Sequence, residues 1–294
     1  MPGETLEAKD SPDNRSRLEL RIDLEKLIAE EGGDGRLATY VWEAYFFFLI
    51  LEKTIDCEAP QRILEVGGGI GLLSTLMAGK GPDVVCVEPG SAGFLDLMEM
   101  NPLVAGFRQF KEPDFFRGYL QELPADHKNF DFVICVNVLE HVPDYMSLIA
   151  QALERCSPSG YARFICPNYA FPYEPHFNIP TLWNKKLTGK IFAKLIASGK
   201  SGIPDPVEMW SDLSWPNYWQ LRKLCRSNNL EYQFLRNSFE AYVGRLADKS
   251  FRARKGWVFQ ILSRFAPLLL LASRLVPIAI LPIIDIRIWP LVRD

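Results

Sequence analysis

Residues 62–71 read RILEVGGGIG, an apolar run followed at once by Gly67, Gly68, Gly69 and Gly71. Ile63, Leu64 and Val66 have the length and character of a short buried strand, and a glycine cluster behind it marks a tight turn. Glycine has no Cβ, so it enters positive φ freely and lets the backbone approach another group closely. A strand, such a turn and a helix in series leave backbone N–H groups and a helix N-terminus at the carboxyl edge of a sheet. An anionic or polar ligand is held there.

The same alternation continues along the chain. The pattern predicts a strand at 62–66, a helix at 70–79, a strand at 83–87, a helix at 91–100, a weak strand at 114–117, a strand at 130–136, a helix at 143–156 and a strand at 160–166. A helix at 215–228 and a strand at 231–237 follow, and IIDIRIWPLV, residues 283–292, has the β-branched look of a closing strand. Strands that are apolar almost throughout and alternate with helices argue for a parallel sheet covered on both faces by right-handed crossovers. Where the alternation breaks, insertions are expected at about 168–212 and 240–281. Residues 1–36 are expected to be a disordered, charged N-terminal segment holding an amphipathic helix at 16–31, with the folded domain at 37–294. The aromatic run 37–56 fits a helix that serves as core or lid.

Composition removes several function classes. A net charge of −3 gives no overall basic footprint for nucleic acid. The six cysteines are scattered without a C-x-x-C pair, and the three histidines are not clustered in sequence. That argues for reduced thiols in a cytoplasmic protein, with no metal expected. The charged N-terminus gives no secretory signal.

Which ligand the turn binds depends on spacing. A dinucleotide fingerprint on Gly67 and Gly69 needs a third glycine where the chain has Leu72. The chain instead carries E-x-G-x-G-x-G as Glu65, Gly67, Gly69 and Gly71, and Glu88 ends the next strand 21 positions past Gly67. That is the distance at which a carboxylate accepts from both ribose hydroxyls. The third feature is YLQELPADHKNFDFVICVNVLEHVPD, residues 119–144. With these three, the chain resembles the class I S-adenosylmethionine-dependent methyltransferases of the broad LEVGxGxG subgroup, over about residues 60–170 and more weakly at 215–237 and 283–292. The resemblance implies a doubly wound, Rossmann-like α/β fold, its seven-stranded sheet closed by an antiparallel last strand and carrying helical insertions. It also implies S-adenosylmethionine as cofactor, with Glu65 and Gly67 facing the methionine moiety, Glu88 the ribose and Asn137 near the cofactor's amino group. Where the family often has an acidic residue at the adenine amine, this chain has Tyr119, which leaves the Leu120 N–H or Glu122 for that contact. The family's nucleic-acid amino-methyltransferases carry [DN]-P-P-[YF] after strand four, and NVLEH stands there instead. That argues against nucleic-acid methylation; it is the composition of the two insertions that points to a small-molecule or lipid-linked acceptor.

Methyl transfer from a sulfonium is an in-line displacement, so positioning supplies much of the catalysis, and a hydroxyl acceptor gains further from a base. His141 follows strand four, near the mouth of the site on the family pattern. His176 lies in CPNYAFPYEPHFNIP, where prolines stiffen a loop, aromatics wall it and Glu174 stands two residues away. His176 oriented by Glu174 is one candidate base and His141 the other. Residues 181–204 hold five lysines and no acidic residue among apolar positions at mostly helical spacing, the profile of an interfacial helix. Residues 257–281 are long and apolar but broken by Arg264, Arg274 and prolines, which favours lying on a bilayer over crossing it. This reads as a peripheral enzyme at the cytoplasmic membrane face. The alternatives are a soluble enzyme whose apolar segment packs or forms a homodimer face, and a non-catalytic module that binds the cofactor.

Overall fold

A computed structural model describes residues 12–30, 35–90, 111–198, 205–247 and 263–291. Its strands are β1 (Arg62–Val66), β2 (Asp83–Glu88), β3 (Asp114–Arg117), β4 (Phe130–Val136), β5 (Cys156–Pro167), β6 (Tyr232–Phe234) and β7 (Ile283–Ile288). They form one sheet in the order β3-β2-β1-β4-β5-β7-β6. The first five pair in parallel, while β7 runs antiparallel to both β5 and β6. The Rossmann-like fold with an antiparallel last strand is therefore present. β1, β2 and β4 are buried almost end to end, as apolar strands with helices on both faces must be.

The helices are α1 (Pro12–Glu30), α2 (Gly35–Glu58), α3 (Leu72–Ala78), α4 (Tyr145–Arg155), α5 (Lys185–Ile196), α6 (Pro206–Asp212), α7 (Tyr218–Ser227), α8 (Asn237–Gly244) and α9 (Ala266–Leu275). The amphipathic helix expected at 16–31 is present as α1, which begins at Pro12. Leu20, Leu24 and Leu27 recur at one-turn spacing, and all three join the core that α2 forms with α3 and one sheet face. The charge of this stretch covers its outer face, and Arg17 reaches the buried Glu52 at 2.8 Å. The helix predicted at 91–100 and the N-terminal residues before Pro12 lie outside the described residues.

Two boundaries differ from the pattern for local reasons. β5 begins at Cys156, and its register with β4 shifts between Phe130 and Phe132. Gly160 permits this, because a Cβ there would stand 2.5 Å from the Phe130 carbonyl oxygen. α7 begins at Tyr218, since Asn217 caps it by accepting from the Gln220 N–H at 3.1 Å and Pro216 lies just upstream.

Both insertions have small cores of their own. In the first, Phe177, Ile179, Ile196 and Leu213 pack with Trp210 and Trp215. In the second, α8 and α9 meet through Val243, Leu246 and Ala266. Among the described residues no helix is long and apolar enough to cross a membrane. Two buried polar links tie the insertions to the sheet. Arg163 on β5 forks onto Asp285 of β7 at 2.9 and 2.8 Å, and Asp285 also accepts from the Ser238 hydroxyl of α8 at 2.7 Å. Asn168 donates to the carbonyls of Ala279 and Leu281 and accepts from the N–H groups of Ala170 and Tyr218.

Candidate active site

At the carboxyl edge of β1 the glycine turn is built from backbone that other residues do not adopt cheaply. Gly67, Gly69 and Gly71 have φ of 75, 55 and 77°. Gly67 also has no room for a side chain, because a Cβ would lie 2.2 Å from Cγ2 of Val138. Glu88, at the end of β2, ties this turn to its own: its carboxylate accepts from the Gly69 N–H at 2.9 Å and the Gly90 N–H at 2.8 Å. Glu65 is sealed beneath the turn, where the Ser74 hydroxyl donates to it. Burial lifts the Glu65 carboxyl to about 7, opposed by that hydrogen bond and helped by the charge of Glu88. Tyr119 is about half exposed, Leu120 is buried, and the Glu122 carboxylate accepts from the Tyr119 N–H at 2.7 Å.

The neighbouring edge of β4 and β5 carries the other group of residues. Asn137 follows β4 at a φ of 52°, and its N–H donates to the Ile165 carbonyl at 2.8 Å. Its side-chain amide donates to Glu43, which α2 brings over this edge. A 3-10 turn then presents Glu140 and His141. From the loop after β5 comes His176, whose ring lies edge-on to that of His141 with centroids 5.1 Å apart. The Nδ1 of His176 contacts Glu174 Oε1 at 2.6 Å. Glu174 is fully buried and is fixed in turn by the Phe177 N–H at 2.7 Å and the Tyr169 hydroxyl at 3.3 Å. Tyr169 stacks on Trp215, which makes an aromatic wall beside the carboxylate.

The electrostatics of this group follow from burial and crowding. Burial pushes Glu140 up to about 7, with Glu43 and Glu174 adding to the effect of burial and His176 opposing it. Burial and the neighbouring His176 hold His141 down to about 3. For His176, burial alone would lower the value, but the hydrogen bond and charge of Glu174, with Glu140 and Glu43, carry it above the ordinary imidazole range.

The glycine turn, Glu88 and the β4–β5 cluster thus share one edge of the sheet, linked where Val138 packs on Gly67. A family model described as a methyltransferase domain matches residues 42–233, a range that contains all of them. The chain belongs to this methyltransferase family. It is an S-adenosylmethionine-dependent enzyme. An uncharacterized protein of Mycobacterium tuberculosis is 33% identical over 234 residues, covering 77% of this methyltransferase and 78% of that protein. The ubiquinone biosynthesis O-methyltransferase of Hahella chejuensis is 37% identical over 101 residues, which cover 34% of this chain and 40% of the relative. Among solved structures, a plantazolicin methyltransferase in complex with SAH superposes with a TM-score of 0.49 at 11% identity, covering 94% of this chain and 98% of that one.

Of the residues singled out in the sequence of this methyltransferase, Glu65, Gly67, Gly69, Gly71 and Glu88 come together at the β1–β2 edge. Asn137, His141, Glu174 and His176 come together at the β4–β5 edge. His141 and His176 meet in space although they lie 35 residues apart, while His127 stands elsewhere beside Asp114 and Asp126. Glu43 and Glu140 were missed. Glu43, set among the aromatics of residues 40–48, was a signal, whereas nothing local marked Glu140 as buried.

Proposed function

We propose that this enzyme O-methylates a hydroxyl of an amphipathic small molecule, a lipid-linked saccharide in particular, at the cytoplasmic face of a membrane. The observation that carries the acceptor chemistry is the contact of His176 with a fully buried Glu174 that is itself doubly anchored. A carboxylate on Nδ1 sets the ring's orientation and leaves Nε2 to face an acceptor. His176 is therefore the base of this reading, and His141 walls the site beside it.

S-adenosylmethionine supplies a methyl group on a sulfonium, which departs with the S–C bonding pair left on sulfur. The β1–β2 edge fits that cofactor. A carboxylate offers about four acceptor positions, and Glu88 uses two of them on backbone N–H groups. The remaining capacity suits ribose hydroxyls. Gly67 and Gly69 let the cofactor lie against bare backbone, with Glu65 buried beneath them. In this reading Asn137 and Glu43 take the amino group of the methionine moiety, and Tyr119 and Leu120 border the adenine. His176 takes the hydroxyl proton as the acceptor oxygen bonds to the methyl carbon, so positioning and proton removal are both the protein's contribution.

The amphipathic acceptor rests on surface chemistry. On α5, Lys186, Lys190 and Lys194 are exposed beside Ile191 and Leu195, and Trp183 just ahead is 94% exposed. Along α9, Phe265, Leu268, Leu271 and Leu275 form an exposed apolar stripe, with exposed Arg264 and Arg274 nearby. Basic residues beside apolar ones suit an anionic bilayer surface. Oxygen as the acceptor atom is supported by the name of the Hahella chejuensis relative.

The test is transfer of a radiolabelled methyl group from S-adenosylmethionine into extracts separated into organic, membrane-glycan and aqueous fractions. Flotation with anionic vesicles is run in parallel. Label in the first two fractions and co-flotation support the proposal. Label confined to aqueous small molecules, with protein left at the bottom of the gradient, replaces it with a soluble enzyme whose α9 stripe forms a homodimer face. H176A is expected to lower kcat by about 10²–10⁴-fold while cofactor binding is kept.

A further inference from the structure

We infer that Glu140, His141 and His176 form a binding site for a divalent first-row transition-metal ion, with Zn2+ the best match to the ligands. Each of the three offers one ligand atom, and these atoms all lie within 4.8 Å of one another. Two imidazoles and one carboxylate are a donor set used for zinc with an open fourth position and for facial-triad iron. Bonds of about 2.1 Å put tetrahedral ligand atoms about 3.4 Å apart, so side-chain movements of an ångström or so close the site.

An independent observation points to a cation. Glu140 is completely buried, and among the described residues neither of its carboxylate oxygens has a hydrogen-bond partner. A buried carboxylate is ordinarily paired, hydrogen-bonded or bound to metal. Its surroundings hold further carboxylates, Glu43 and Glu174, which act on it electrostatically. His176 opposes them, and a divalent ion would add two positive charges to this group of three carboxylates.

The supporting shell is also present. Metal-bound histidine donates its second nitrogen to a carboxylate, which fixes the ring and raises its basicity. Glu174 holds that position on His176 Nδ1 at 2.6 Å, so Nε2 is the nitrogen left to ligate. The backbone on each side is pinned: the Ser214 N–H reaches the Glu140 carbonyl at 2.6 Å and the His141 N–H reaches the Val138 carbonyl at 2.8 Å. His176 keeps 22% of its side chain exposed, so water or an acceptor oxygen has access to the fourth position.

This inference stands on the cluster and not on the identity of the acceptor. It bears on the proposed chemistry at one point. An ion on Nε2 leaves His176 as base only in the metal-free enzyme. In the loaded enzyme the ion held by Glu140, His141 and His176 would lower the pKa of an adjacent hydroxyl, whose proton would leave to solvent.

The test uses the full, tag-free chain, stripped with chelator and titrated with Zn2+ by calorimetry and with Co2+ by visible absorption. The expected result is one ion per chain at micromolar affinity or tighter, with Mg2+ failing to displace it. E140Q and H176A should lose the Co2+ spectrum, and E174Q should bind about 10–100-fold more weakly. Circular dichroism confirms that each variant is folded. No binding by wild type, or equal binding by E140Q, overturns the site and assigns Glu140 a buried proton instead. Neither result depends on methyl transfer, so the metal site and the acceptor proposal fail separately.

Discussion

Replacing Glu65 with glutamine is expected to abolish one component of the pH dependence of stability. Glu65 is 3% exposed, and burial is the main reason its carboxyl rises from 4.5 to about 7 in the native state. An unfolded chain releases that proton near pH 4.5, so between there and about pH 7 the native state binds more proton than the unfolded one. The contribution is fully present below the unfolded value and is lost as pH rises through the folded one. A shift of roughly 2.5 units at about 1.36 kcal/mol per unit makes the loss about 3 kcal/mol once pH exceeds about 8. The amide of E65Q still accepts from the Ser74 hydroxyl but cannot ionise. Urea unfolding followed by tryptophan fluorescence should therefore show the two proteins nearly equal at about pH 4, with E65Q more stable by about 3 kcal/mol at about pH 8. Glu140, raised to about the same value, is present in both proteins and cancels in the difference. A stability gap that stays constant across this range would refute the reasoning, because Glu65 would then have the same charge in both states.

Three further outcomes follow from buried contacts. D285A leaves the guanidinium of Arg163, which is wholly buried, without its carboxylate; a loss of about 3–5 kcal/mol in urea unfolding is expected, and less than about 1 kcal/mol would contradict it. N168A removes four hydrogen bonds that join the loop after β5, the start of α7 and residues 279–281. It should cost about 1–3 kcal/mol and speed amide hydrogen exchange around those residues. G67A meets both a Val138 clash and a left-handed φ. Adding V138A should relieve the clash, leaving a conformational penalty of about 1–2 kcal/mol by thermal or urea unfolding, and full recovery would show that φ is not the constraint.

The strands and the glycine turn were legible because they depend on neighbours in sequence. Apolar runs of strand length, punctuated by glycine and proline, predict β1, β2, β4 and β5 within a few residues. The antiparallel last strand came from family resemblance, since no local feature of IIDIRIWPLV states its direction. The helix in the charged N-terminal stretch was legible as amphipathic, but the burial of Leu20, Leu24 and Leu27 depends on α2 being there to receive them.

By itself the sequence determined the β1–β2 edge: Glu65, the glycines and Glu88 stand within one strand–turn–helix–strand unit, whose geometry is set by short-range sterics. Only the tertiary structure decided the β4–β5 edge. His141 and His176 follow different strands, and they meet because β4 and β5 are parallel neighbours that release their loops on the same side. Glu43 reaches that edge from a helix 94 residues before its partner Asn137. Burial of Glu140 is likewise a property of what packs around it. Those are long-range contacts, paid in loop-closure entropy and returned in core packing, and they have no period in the chain to read.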